Sequence, residues 1–313
     1  MSRLRRVLAR AVFVGVAATQ NGCCCPAEED PAVDIAVDRS TPEMAALIDR
    51  CEANPDDCEE LCRAPFEAAF ADQYYAVVGC EVEPVADGAI AHVAYSDGSA
   101  CGRAPERLVA CEWSAGGDPV DGWLARAAYL EAASVIAFVH LTADLSRHRA
   151  PRPLIAAAIV AAHDEIRHAA TMRALIRGRI SVPVPRVAAY RPASLRDLAL
   201  LNAIEGCARE TIGAAVNLWQ ARTANDPELR AAFADIARDE IAHAELSWAI
   251  HAWALTQLDS RDATAIVDAH RTAREQIVDT LEVDPATRAR LGLPSDAEMR
   301  ALLAAISLAP VAA

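Results

Sequence analysis

Asp164-Glu165-Ile166-Arg167-His168 and Asp239-Glu240-Ile241-Ala242-His243 are two copies of one pattern, Asp-Glu-x-x-His. The Asp, Glu and His each recur after 75 positions. A glutamate precedes each copy: Glu131 stands 34 residues before Glu165, and Glu205 stands 35 before Glu240. On a helix, residues three apart share a face, so each Glu-x-x-His pair presents one carboxylate and one imidazole to the same point. With Glu131 and Glu205 the set becomes four carboxylates and two imidazoles, enough to ligate two metal ions inside a bundle of four helices.

The surroundings of the two leading glutamates strengthen this reading. Glu131 is followed by Ala132, Ala133, Val135 and Ile136, and Glu205 by Gly206, Cys207 and Ala208. An acid among small apolar residues is costly unless it is paired or bound to a metal. Four carboxylates nearly balance two divalent cations, and oxygen and imidazole ligands suit iron or manganese. A metal-bound histidine usually donates its second N–H to an outer acceptor. The aspartate before each glutamate is placed for that role, and a crosswise arrangement is expected: Asp239 accepts from His168, and Asp164 from His243. Arg167 would offset the excess negative charge.

One Glu-x-x-His by itself is most often a solvated helix face; the matched duplication carries the argument. Glu210 lies five residues after Glu205, about 140° round an ideal helix. The frames Leu130-Glu131-Ala132-Ala133 and Ile204-Glu205-Gly206-Cys207 align, so Glu205 is the expected ligand and Glu210 a solvent-facing or outer residue. His163 is expected to be exposed and His251 to be packed or solvated. Tyr129, Trp219 and Trp248 are read as core aromatics.

Helical signals surround these residues. Four long stretches are expected at roughly 119–149, 153–177, 194–224 and 227–257. Pro151 and Pro153 divide the first two, Asn225-Asp226-Pro227 divides the last two, and a longer connection with Pro183, Pro185 and Pro192 crosses between the pairs. Residues 261–283 suggest a fifth helix, and Ser295-Asp296-Ala297-Glu298 is a capping box opening a last one.

Upstream the character differs. Residues 1–22 hold four arginines and no acid, and Ala11 to Ala18 is apolar but too short to span a bilayer. This is an export signal, with cleavage after Ala18 as one option. The other is Gly22-Cys23, which resembles a lipoprotein junction and would make Cys23 a lipid anchor. Residues 23–40 read as a linker. Residues 41–115 read as a small α+β module with Cys51, Cys58, Cys62, Cys80, Cys101 and Cys111, an even set suited to disulfides in an exported segment. No C-x-x-C pair favours zinc there. Thr41-Pro42-Glu43 opens a short helix, a second runs through Cys58 and Cys62, and strands are expected at 74–80 and 89–95 around the turn Asp87-Gly88. Cys207 stands alone as a small buried side chain. The expected division is thus 1–22 signal, 23–40 linker, 41–115 Cys-rich module, 118–257 metal-binding bundle and 258–313 helical extension. The fold class is mainly α, with a small disulfide-stapled α+β module.

Composition agrees with helices and narrows the partners. Hydrophobic residues make up 53% and aromatics only 5%. All 30 basic residues are arginine, and the net charge is −14, which disfavours nucleic acid and anionic lipid.

The span 118–257 resembles the ferritin-like di-iron carboxylate superfamily. Within it, Glu131 with Asp164-Glu165-x-Arg167-His168, and Glu205 with Asp239-Glu240-x-x-His243, is similar to the doubled motif of the arylamine N-oxygenases. Those enzymes carry a further metal-binding histidine on the fourth helix, where Ile236 stands here. Rubrerythrin-like peroxidases are a second resemblance; they add a glutamate where Ala208 stands. The resemblance implies a ferritin-like four-helix bundle holding two Fe, with Mn as the substitute. It also implies an oxidase or oxygenase that activates O₂ or peroxide, and the export signal, which belongs to none of these families, would place it in the periplasm or on a lipid anchor. Such an enzyme acts on a small organic substrate and draws on an external electron donor. The alternatives are a non-catalytic, metal-stabilised envelope protein and a manganese catalase-like peroxide dismutase.

Overall fold

The computed structural model describes residues 32–54, 58, 60–62, 64–65, 76–85, 87–96, 103–105, 108–109, 118–178, 180–187, 189–276 and 283–307. The expected export signal, its cleavage sites, Cys23, Cys101 and Cys111 lie outside these residues. The described chain is mainly helical, with a small antiparallel sheet near its start.

The N-terminal module contains β1 (Ala32–Asp38), α1 (Pro42–Ala53), β2 (Ala76–Val85) and β3 (Gly88–Ser96). Its sheet has the order β1-β3-β2, antiparallel throughout, with Cα partners such as Ile35 and Ala91, and Val82 and Ala91. The linker expected over 23–40 is therefore corrected at 32–38. Alternation in Val33, Ile35 and Val37 supplies one apolar face, and that face packs on the helix rather than remaining solvated. Thr41 caps α1 through its hydroxyl, with Pro42 at the first helical position. Ile48, Leu61, Cys62, Ala91 and Val93 form the centre of this small core. Disulfides Cys51–Cys58 and Cys62–Cys80 staple it. They suit an oxidising compartment outside the cytoplasm.

Four long helices follow. These are α2 (Pro119–Arg147), α3 (Arg152–Leu175), α4, and α5 (Pro227–Leu255). α4 begins as an α-helix over Leu195–Leu201, passes through a π-helical stretch over Asn202–Glu210, and returns to α-helix over Thr211–Thr223. Asp118-Pro119 and Asp226-Pro227 start α2 and α5 by one device: the Asp carboxylate accepts from the second helical N–H, and the proline occupies a position whose N–H is not needed. α2 packs on α3, α4 on α5, and α3 on α5. α6 (Ser260–Gln276) lies along the π-helical stretch. α7 (Pro285–Leu291) and α8 (Asp296–Ser307) complete the chain, α8 opened by the reciprocal Ser295–Glu298 capping box.

Two buried aspartates on α2 pin the crossover between the helical hairpins. Asp121 accepts from the N–H groups of Arg177 and Gly178, and Asp144 accepts from the Tyr190 hydroxyl and the Ala193 N–H. Midway, β5 (Arg186–Val187) pairs with β4 (Leu108–Val109) and ties the crossover to the chain leaving the module.

Two apolar clusters fill the bundle. One contains Leu124, Met172, Phe233 and Ile236; the other contains Phe138, Leu145, Ala158, Leu246 and Ile250. On α2, α3 and α5 the ligand candidates fall between these two groups in sequence. Each large side chain buried there contributes roughly 1.5–3 kcal/mol. The helices are thereby held in register by greasy layers on either side of a polar one.

The Cys62–Cys80 bridge closes a loop with a sequence separation of 18. Replacing both cysteines with serine should destabilise the module by about 3 kcal/mol. Denaturant unfolding followed by limited proteolysis should show the module opening earlier while the long helices remain protected. Unchanged module stability would contradict the stapling role.

Candidate metal centre

Glu131 comes from α2, Glu165 and His168 from α3, Glu210 from α4, and Glu240 and His243 from α5. Their ligating atoms form two overlapping groups. One is Glu131, Glu165, His168 and Glu240; the other is Glu165, Glu210 and His243. Within each group the donor atoms lie within 4.8 Å of one another. His168 Nδ1 is 3.3 Å from Glu240 Oε1 and 3.6 Å from both Glu131 Oε2 and Glu165 Oε2. His243 Nδ1 is 3.2 Å from Glu165 Oε1 and 3.8 Å from Glu240 Oε1. The two rings stand 5.9 Å apart, centroid to centroid.

The i, i+3 spacing on α3 and α5 places each carboxylate beside its imidazole. Both histidines point Nδ1 inward and Nε2 outward. His168 Nε2 lies 3.2 Å from Asp239 Oδ2, and His243 Nε2 lies 3.4 Å from Asp164 Oδ2. The aspartates thus meet the histidines crosswise between α3 and α5. Arg167 bridges the pair, ion-paired with Asp164 and 2.8 Å from Asp239.

The structure does not bring Glu205 into this cluster. Its carboxylate is engaged elsewhere: Oε1 accepts from Arg209 at 2.6 Å, and Oε2 accepts from the Ala104 N–H at 3.1 Å. Glu210 takes the fourth carboxylate position instead. The expectation that placed Glu205 inside and Glu210 outside assumed 3.6 residues per turn. Asn202–Glu210 is π-helical, bonded i→i+5, which admits an additional residue and re-aims every side chain along the stretch. One sequence signal pointed the other way. Arg209 follows Glu205 at i+4, a spacing that lets an arginine neutralise a glutamate, whereas Glu210 has no basic residue placed to do so within its helix.

The cluster is buried and under-bonded. Glu165 and Glu210 are fully buried, and Glu240, His168 and His243 are nearly so. Both oxygens of Glu165, both of Glu210, Oε2 of Glu240 and Nδ1 of each histidine lack hydrogen-bond partners. Buried polar atoms are rarely left unsatisfied. A set of inward-facing carboxylate oxygens and imidazole nitrogens has the composition to hold metal cations.

The electrostatics show the same frustration. Burial, followed by the charge of Glu165, pushes the Glu131 carboxyl well above the usual range. Burial and the Glu240 carboxylate do the same to Glu210. Burial also works against a charged Glu165, but the His168 and His243 rings outweigh it and hold that carboxyl below its ordinary value. Burial opposes charging His168 and His243, yet the surrounding carboxylates hold both imidazoles well above theirs.

A further buried charge reaches the cluster from the segment 103–105. Arg103 is 2% exposed. Its Nη2 donates to Asn202 Oδ1 at 2.7 Å, its guanidinium lies 5.4 Å from the Phe138 ring centroid, and its Nε is 4.0 Å from Glu210 Oε1. Ser134 donates to the Arg103 carbonyl, and Ala104 donates to Glu205. This arginine was not foreseen; nothing in its local sequence distinguishes it from the other 29 basic residues. Of the remaining residues considered, His163 is exposed, Trp219 and Tyr129 are buried in the core, and Trp248 donates to Thr211 while packing edgewise on His251 and His270. Cys207 is buried and free.

Two measurements test the geometry. Glu210→Gln should weaken divalent-metal binding by at least about tenfold, whereas Glu205→Gln should leave it nearly intact; the reverse ranking would restore Glu205. Because metal binds the deprotonated ligands, and burial or the neighbouring carboxylates raise the proton affinity of both histidines, Glu131 and Glu210, loading should release protons and affinity should fall as pH is lowered. Calorimetry in two buffers of different ionisation enthalpy reads this directly, and loading without proton release would contradict it. Comparison with protein-family models, curated proteins and solved structures gives no match, so the assignment of the centre rests on its own residues.

Proposed function

We propose that this chain is an exported, ferritin-like di-metal carboxylate protein, and that its centre holds two Fe, or Mn in their place. The observation that carries this reading is the buried set of unpartnered Glu oxygens and histidine Nδ1 atoms. Glu131, Glu165, His168 and Glu240 would hold one ion, and Glu165, Glu210 and His243 the other. The four-helix arrangement, the paired Glu-x-x-His motifs and the crosswise aspartates support placement in that superfamily. The arginine-rich start and the two disulfides support export, with Cys23 as the lipid anchor if cleavage falls at Gly22-Cys23.

When bound, the ions would supply electrons for reducing dioxygen or peroxide during oxidation of a small organic substrate. The chain's own residues do the rest. Asp164 and Asp239 fix the tautomer and orientation of the two imidazoles, and the two apolar clusters exclude water. A cleft is lined by Arg103, Pro105, Ala137, His140, Tyr190 and Leu201. Arg103 lines that cleft and approaches Glu210, so it stands between the two. Burial and Asp144 push the Tyr190 phenol up to about 12, leaving it a neutral group at the cleft wall. An external electron donor completes the cycle.

The closure of the centre by Arg103 and Phe138 favours a second reading, in which the metals only stabilise the bundle. Purified protein should contain two Fe or Mn per chain, lose thermal stability with a chelator, and consume dioxygen or peroxide when a reductant and a small organic substrate are supplied. Glu131→Ala with Glu210→Ala should abolish all three behaviours. Full metal loading with no consumption would favour the stabilising role, and a metal content near zero would sink both.

A further inference from the structure

Arg103 divides the centre into unequal halves. Its guanidinium is buried, 4.0 Å from Glu210, and held by Asn202 at 2.7 Å and Ser247 at 3.4 Å. Asn202 is itself fixed by donating to the Ser247 carbonyl, and Ser247 Oγ donates to the His243 carbonyl. The arginine is thus anchored to the same stretch of α5 that carries His243. Its carbonyl accepts from Ser134, and the next N–H, that of Ala104, donates to Glu205. Space for it exists because residue 206 is glycine: a Cβ there would lie 2.3 Å from Arg103 Nη2 and 2.5 Å from Ser247 Oγ.

The two metal-ligand groups do not feel this charge equally. Glu131, Glu165, His168 and Glu240 present three carboxylates and contain no residue paired with Arg103. Glu165, Glu210 and His243 present two carboxylates, and Glu210 already faces the guanidinium. Arg167 bridges both outer aspartates at the exposed edge, and Arg209 is paired with Glu205, so neither distinguishes the halves in this way.

We infer that Arg103 makes the two metal positions sequential. A divalent cation occupies the Glu131–Glu165–His168–Glu240 position first and tightly, and the Glu165–Glu210–His243 position second and weakly. This rests on the di-metal reading above and adds an order of loading and its cause. Even at an effective dielectric of about 20, repulsion between a guanidinium and a divalent ion sharing Glu210 weakens the second step by at least about tenfold.

The test is a Mn²⁺ titration of chelator-treated, full-length protein, with free ion followed by electron paramagnetic resonance. Wild type should show one tight and one weak step. His243→Ala should remove the weak step and spare the tight one, and His168→Ala should remove the tight one. Arg103→Gln should bring the weak step toward the tight one, while Arg103→Lys, which keeps the charge, should retain the gap. Gly206→Ala should mimic Arg103→Gln by displacing the guanidinium. If Arg103→Gln fails to fold, the histidine variants decide, and a weak step lost in His168→Ala rather than His243→Ala overturns the inference. Two equal steps in wild type, or a gap that survives Arg103→Gln, overturn it while leaving the di-metal reading intact. No Mn²⁺ binding at all overturns both.

Discussion

Four carboxylates placed in a buried layer between two apolar clusters are the constraint around which this protein is arranged. Burying even one unpaired carboxylate is costly, and like charges at this range cannot all remain ionised. The chain answers in three ways. Two imidazoles take up charge beside Glu131, Glu165 and Glu240. Arg103 is driven into the bundle beside Glu210. The remaining unpartnered oxygens and nitrogens converge on positions a cation would fill. The apolar layers make the problem severe and also hold the solution in place, because helices locked by Leu124, Phe233, Phe138 and Ile250 keep their polar side chains in register.

The N-terminal module is not merely appended to the bundle. The chain leaving it sends Arg103 and Ala104 to residues of three bundle helices, then pairs with the crossover through β4 and β5. Glu205 belongs to this attachment. Its carboxylate joins Arg209 to the Ala104 N–H, a structural role that explains why an acid can be buried there without touching a metal. Folding of the bundle and docking of the segment 103–105 are therefore coupled through buried charge, an interaction whose loss leaves an uncompensated partner on either side.

The helices, their boundaries and the two Glu-x-x-His pairs were legible in the chain because they rest on local rules. Asp118-Pro119 and Asp226-Pro227 start helices wherever they occur, and three-residue spacing puts Glu165 beside His168 whatever surrounds them. Residues 32–38 were misread as linker because an alternating strand is stabilised by its neighbours, and β3 lies more than fifty residues further on. Glu210 was missed because its direction depends on a π-helical stretch, which local propensity does not announce.

By itself, then, the sequence determined that two Glu-x-x-His helices would each offer a carboxylate and an imidazole on one face, since backbone geometry sets that pairing within a single turn. Only the tertiary structure decided which residue of α4 completes the set and which cation stands beside it. Both depend on packing between distant segments: the i→i+5 bonding that turns Glu210 inward, and the 99-residue separation across which Arg103 finds Asn202. Contacts of that kind carry no local signature, because their energy comes from desolvation and charge pairing that exist only once the helices have closed around them.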